Sequence, residues 1–153
     1  MTLDPECVRD VMIYLEDHLV LCRDEDGIDN TRTYQFLEVS THQLCEDTEL
    51  VDRYGEDNIV YTVLQLWRNQ MILLEEDLNP GEEFYHLHVI DITWQGHEFL
   101  GNVRSDTVWK QVSTVAKKAG VFSVKGLFQV AGAVISGISN NPQLIGQILS
   151  QIG

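Results

Sequence analysis

The chain has 153 residues, 44% of them hydrophobic, and a formal charge of −14: enough apolar material for one compact core, and too much negative charge for an electrostatic grip on phosphate backbones. The charge is also segregated, since residues 1–91 hold 22 of the 24 acids with five arginines and no lysine, a local charge of −17, whereas residues 92–153 hold two acids and five bases. Such a front disfavours nucleic acid and favours a protein partner with a basic surface.

Asp4 stands at an N-cap with Pro5 at the first helical position, and Val8, Val11, Met12, Leu15 and Leu19 follow at helical spacing, which predicts a first helix. The polar, turn-rich stretch from Arg23 to Asn30 predicts a loop, and Tyr34, Phe36, Leu37 and Val39 a short strand. Ser40 followed by Gln43 has capping-box spacing, so a second helix is expected to carry Leu44, Thr48 and Val51 inward. A third helix opens on Glu56 and Asp57 and repeats Ile59, Val60, Val63, Leu64, Trp67 and Met71. Strands over Ile72–Leu74 and Phe84–Ile92, joined through Asn79-Pro80-Gly81, make a hairpin. The order helix, strand, helix, helix, strand, strand predicts an α+β fold in which residues 1–92 form a winged-helix-like acidic domain and residues 93–153 a C-terminal helical extension.

In that extension Thr93 and Asp106 occupy N-cap positions, Gly96 permits close approach, and Trp94, Phe99, Leu100, Val108 and Trp109 are spaced to pack two short helices around a bend. The helix opened by Ser105-Asp106 carries Val108, Val112, Val115 and Ala119 and closes on Lys117, Lys118 and Gly120. Ser123 caps a further helix, and Asn141-Pro142 starts a last one containing Ile152. Their apolar residues Val124, Leu127, Phe128, Ala131, Val134, Ile135, Ile138, Leu144, Ile145, Ile148 and Leu149 either finish the core or form an oligomer interface; the homo-oligomer is the favoured reading. A helix lying on a membrane is the weakest, because Lys125 alone is a thin cationic face.

The run from Ile92 to Trp109 resembles the segment that typifies the DUF2513 family, uncharacterised proteins of bacteria and their phages and prophages. Thr93, Trp94, Gly96, His97, Phe99, Leu100, Asp106, Thr107, Val108 and Trp109 carry the resemblance, which extends through the preceding hairpin and the following helices and more loosely to the first helix. It implies a mobile-element source and a winged-helix-like fold, and it transfers no catalytic residue.

No nucleotide-binding glycine motif, nucleophile elbow or HExxH pattern occurs, and no catalytic, cofactor-binding or metal residue is assigned. His86 and His88 alternate on one strand face with Asp91 nearby, but two rings supply half of a tetrahedral site, and a solvated strand face gives the same pattern. His97 among aromatics reads as a structural group rather than an acid-base one. The three cysteines, Cys7, Cys22 and Cys45, match neither a disulfide framework nor a CxxC pair and read as reduced thiols. An acidic N-terminus and no apolar run of spanning length point to the cytoplasm, and the resemblance implies that of a bacterial host cell. The expected function is non-enzymatic and works through protein contact, with Glu75, Glu76, Asp77, Glu82 and Glu83 as the candidate acidic partner surface. The alternative is a winged-helix DNA-binding regulator reading through Asn58, Thr62, Gln65, Arg68 and Asn69.

Overall fold

The computed structural model describes residues 1–24, 33–78 and 86–137, and all elements below are those of the described residues. In chain order they are α1 (Pro5–His18), β1 (Val20–Asp24), β2 (Thr33–Leu37), β3 (Val39–Ser40), α2 (Thr41–Glu46), α3 (Thr48–Tyr54), α4 (Glu56–Arg68), β4 (Ile72–Leu74), β5 (His88–Ile92), α5 (Trp94–Val103), α6 (Asp106–Ala119) and α7 (Val124–Ile135). The protein is thus a mixed α+β fold with small antiparallel sheets.

Helix α1 starts where the sequence places it: Glu6 N–H donates to the Asp4 carboxylate at 2.9 Å, and Val8, Val11, Met12 and Leu15 are buried along one stripe. It stops at His18, because Leu19 is extended (φ −76°, ψ 106°) and leads straight into β1. Arg23 and Asp24, expected in a loop, instead pair with Tyr34 and Thr33 of β2, an antiparallel ladder that begins at Val20↔Leu37. Residues 25–30 of that loop lie outside the described residues.

The second helix is broken. Ser40 caps α2 by accepting from Gln43 N–H at 3.1 Å, but Asp47 turns the chain out (φ −69°, ψ 114°) and caps α3, accepting from Leu50 N–H at 3.0 Å. The break resets the helical phase, so Leu50 is buried and Thr48, expected inside, is exposed. Gly55 (φ 78°, ψ 157°) then joins α3 to α4, which buries Ile59, Thr62, Val63 and Leu66. Strand β5 lies at the centre of a three-stranded sheet of order β3-β5-β4, in register at Val39↔Val89 and Ile72↔Ile92. The turn at 79–81 and the expected strand start at Phe84 fall outside the described residues.

Helices α5 to α7 close over α1. Gly96 is the point of nearest approach: a Cβ there would stand 2.2 Å from the Met71 carbonyl oxygen and 2.6 Å from Ile92 Cγ2. Ser105, rather than Asp106, caps α6. One buried cluster runs from Leu3 to Val134 across both parts of the chain. Val124, Leu127, Ala131 and Val134, offered by their apolar pattern to a second copy, are buried in that cluster, because α5 and α6 pack on α7 and cover them. Phe128 is half-buried against the same core, Ile135 is exposed, and Ile138, Leu144, Ile145, Ile148 and Leu149 lie outside the described residues. Trp94, expected to pack in the bend, is 84% exposed: it lies off the stripe Gly96, Phe99, Leu100, Val103 by which α5 is buried. Among the described residues no helix is long and apolar enough to cross a membrane.

Candidate functional site

Exposed acids stand on both α3 and α4. Glu49, Asp52, Glu56 and Asp57 are exposed on the α3–α4 pair, and the acids among them at helix starts offset the positive ends of the helix dipoles. Arg53 does not neutralise this surface freely, because its Nη1 is held at 2.8 Å by Asp10 Oδ2, which also accepts the Tyr54 hydroxyl at 2.6 Å. Burial and the bond to Asp10 push the Tyr54 phenol well above its ordinary pKa, so it stays a protonated donor. Beside this triad Asp10, Tyr14, Asp17, His18, Asp47, Glu49, Leu50 and Arg53 line a cleft of about 320 Å³. Of the residues offered for base reading, Arg68 is exposed, Asn58, Gln65 and Asn69 are half-buried, and Thr62 is buried with its hydroxyl donated to Cys7 Sγ at 3.3 Å. Asn58 and Asn69 each spend their amide on a carbonyl one turn back, of Tyr54 and Gln65, at 2.8 Å.

At the sheet edge Glu75 and Asp77 are exposed, whereas Glu76 is half-buried and committed to His88: one carboxylate oxygen accepts the His88 backbone N–H at 3.1 Å and the other meets Nδ1 of its ring. The bond from Glu76 raises the His88 pKa against the opposing effect of its partial burial. Burial alone would raise the Glu76 carboxyl; the ring and backbone N–H groups of His88 hold it below its ordinary value instead. Glu75 is raised by the neighbouring Glu38 carboxyl. Glu82 and Glu83, the remaining acids of the expected partner surface, lie outside the described residues.

The histidines are separated by task. His86 is exposed and meets His42 edge to face with centroids 5.2 Å apart, while His88 faces Glu76. Among the described residues no three or more His, Cys, Asp or Glu gather as metal ligands. Cys7 is fully buried, and burial pushes its thiol up to about 11, an inert state; Cys22 is exposed. His97 is exposed on α5 and lines a second cleft of about 210 Å³ with Glu16, Leu19, Leu21, Phe36, Asp91 and Ile92.

That second cleft was not foreseen. Its outer wall is the β1–β2 hairpin, where Val20, Leu21, Tyr34, Phe36 and Leu37 are all exposed. Of the hairpin, Arg23 and Asp24 are expected in a loop because they begin an acidic, glycine-containing stretch, and Val20-Leu21-Cys22 before them is left unassigned although it carries strand propensity. The exposure of Trp94 had a usable signal, its displacement from the apolar stripe of its own helix.

Residues 2–122 match a protein family described as "Hypothetical protein (DUF2513)". A stretch of 46 residues is 44% identical to an "Uncharacterized protein" of Haemophilus influenzae and spans 29% of this chain and 39% of that protein's length. No solved structure matches the chain.

Proposed function

We propose that this chain, which belongs to the DUF2513 family, is a non-enzymatic protein that acts through contact with a basic surface on another protein. The observation that carries the reading is the outer face of α3 and α4, where Glu49, Asp52, Glu56 and Asp57 are exposed and the neighbouring Arg53 is tied to Asp10. Such a face complements a cationic patch, steers it in over several ångströms at physiological salt, and competes with any polyanion the patch would otherwise hold. In keeping with the mobile-element source that the family resemblance implies, the partner is a host or phage protein in the bacterial cytoplasm, including one whose nucleic-acid-binding surface would be blocked.

The fold itself favours a second reading. The winged-helix reading of the sequence is supported by the order of one helix, an edge strand, a helical segment ending in α4 and two further strands, paired as β3-β5-β4, with the β1–β2 hairpin as an insertion after α1. In that arrangement α4 reads DNA, and Gln65 and Arg68 lie on its more accessible side. Electrostatics favours the first. Duplex affinity comes largely from neutralising several phosphates, and α4 offers a single arginine beyond the exposed Glu56 and Asp57 of its first turn.

The test uses the full chain as bait in a bacterial lysate, beside a variant carrying Glu49→Gln, Asp52→Asn, Glu56→Gln and Asp57→Asn. A basic protein recovered by the native chain, released by salt and lost with the variant supports the proposal. Recovery of no protein, together with duplex-oligonucleotide binding that weakens steeply with salt, replaces it with the regulator reading. Light scattering on the same sample tests the homo-oligomer; after burial of four α7 positions, such an assembly has to form through other surface, including exposed Ile135.

A further inference from the structure

We propose that the cleft between the β1–β2 hairpin and the start of α5 is a docking site for a partner peptide that presents an apolar side chain next to a lysine or arginine. The inference rests on the protein-contact reading and moves the specific anchor away from the α3–α4 face. Leu19 and Ile92 supply apolar surface to the cleft, Leu21 and Phe36 form the hairpin wall, and His97 stands on the opposite side. Its volume of about 210 Å³ is roughly seven times the share of one liquid water, room for a side chain to enter. Leu21 and Phe36 are cross-strand partners, 53% and 45% exposed, so the wall is an apolar pair and not one stray residue. Trp94, 84% exposed, precedes the lining residue His97 by three residues on α5 and so stands within one helical turn of the cleft. A large amphipathic ring left in water beside an apolar pocket is the residue type that dominates contact energies when covered.

Charge selects the occupant. Glu16 and Asp91 line the cleft, Asp17 adjoins Glu16 in sequence, and Glu98 adjoins the lining residue His97. Arg104 pairs with Glu16 and Asp17, whereas Asp91 joins no ion pair among the described residues; its Oδ1 accepts Ile92 N–H at 2.8 Å, and among the same residues its other oxygen has no hydrogen-bond partner. The cation of the hairpin face, Arg23, stands two residues further out than Leu21. A second copy of this chain would bring another net charge of −14 toward these carboxylates, and residues 138–153, though apolar, contain no lysine or arginine to meet them. Nucleic acid and anionic lipid are repelled on the same ground.

The experiment titrates the isotope-labelled full chain with the peptide acetyl-Arg-Leu-Phe-Arg-amide and, separately, with the same peptide carrying Glu in place of Arg. The expected result is saturable movement of the Trp94 indole and of the Leu21, Phe36 and His97 amides with the first peptide only, and binding about fivefold weaker in Asp91→Asn, which keeps the acceptor for Ile92 N–H. Trp94→Ala, a change at an exposed position that leaves the core intact, is expected to weaken binding further. Equal binding of the two peptides, movement confined to α3 and α4, or no movement at millimolar peptide overturns the proposal. A lysate partner still held by the Trp94→Ala and Asp91→Asn chains would leave the protein-contact reading standing while removing the cleft; failure of the native chain to hold either the peptide or a lysate protein removes both.

Discussion

At Gly96 a hydrogen atom occupies space that a methyl group cannot, since the backbone carbonyl of Met71 lies 2.2 Å from the place a Cβ would take and is itself fixed by accepting Thr93 N–H at 3.0 Å. Gly96→Ala is therefore expected to lower stability by about 3 kcal/mol or more in urea denaturation, whereas Gly101→Ala, in the same helix with nothing within 4 Å of its Cβ, should raise it by about 0.5–1 kcal/mol. Equal effects would show that α5 does not press on the β4 end as described. The need for a small residue at 96 was readable from its place between two apolar turns. The His88–Glu76 pair was not, because partners twelve residues apart depend on the register of β4 and β5. That pair has a definite pH signature. The folded-state pKa of His88 is raised above 6.5, so its contribution is complete below that value and is lost as pH rises through the folded pKa; Glu76 is lowered, so its contribution is present above the ordinary carboxylate value and lost as pH falls through its folded one. Glu75, raised beside Glu38, works against Glu76 in the acid range, since its contribution is present below the ordinary carboxylate value and is lost as pH rises through its folded pKa. Urea midpoints are expected to be higher at pH 6 than at pH 8, with the difference reduced in His88→Gln; an unchanged difference in that variant would assign the dependence elsewhere.

Arg9 joins elements that no local pattern connects. Its Nε donates to the Val103 carbonyl and its Nη2 to the Arg104 carbonyl and to Asp106 Oδ1, each at 2.8 Å, and its guanidinium lies 5.5 Å from the centre of the Trp109 ring. One side chain on α1 thus satisfies the C-terminal carbonyls of α5 and holds the first residue of α6, while Glu6 on the same helix accepts Trp109 Nε1 at 2.7 Å and the Ser113 hydroxyl at 2.8 Å. Arg9→Ala is expected to cost about 2–3 kcal/mol, and Arg9→Lys to restore only part of it, because an ammonium lacks the planar fork that reaches three acceptors; thermal melts of the three chains check this. The helices themselves were largely legible: caps at Asp4, Ser40, Thr93 and Ser123 stand where their side chains suggest. The sequence reading ran α2 and α3 together because Asp47 breaks the backbone without a glycine or proline to mark it.

Across the whole molecule the negative front is a cost to the fold as well as a means of recognition. With a net charge of −14, self-repulsion weakens as salt shortens the Debye length from about 30 Å at 0.01 M to about 8 Å at 0.15 M, and the melting temperature is expected to rise over that range. A fall would mean that surface pairs such as Arg53–Asp10 and Arg104–Asp17 outweigh the repulsion. The partition of acids and bases, the phase of α1 and most helix starts were determined by the sequence alone, because charge is additive and capping and periodicity act within a few residues, whereas α4 and α6 are turned from their expected stripes, burying Thr62 and Leu66 in one and Trp109, Ser113 and Ala116 in the other while Ala119 is exposed. Which apolar side chains found cover was decided only by the tertiary structure. The pattern of Val124, Leu127 and Ala131 fits a subunit contact as well as a core, and the pattern of Leu21, Phe36 and Trp94 fits a core as well as a surface. Burial depends on what the rest of the chain brings alongside: α5 and α6 cover α7, whereas the hairpin and the first turn of α5 face each other across an open cleft.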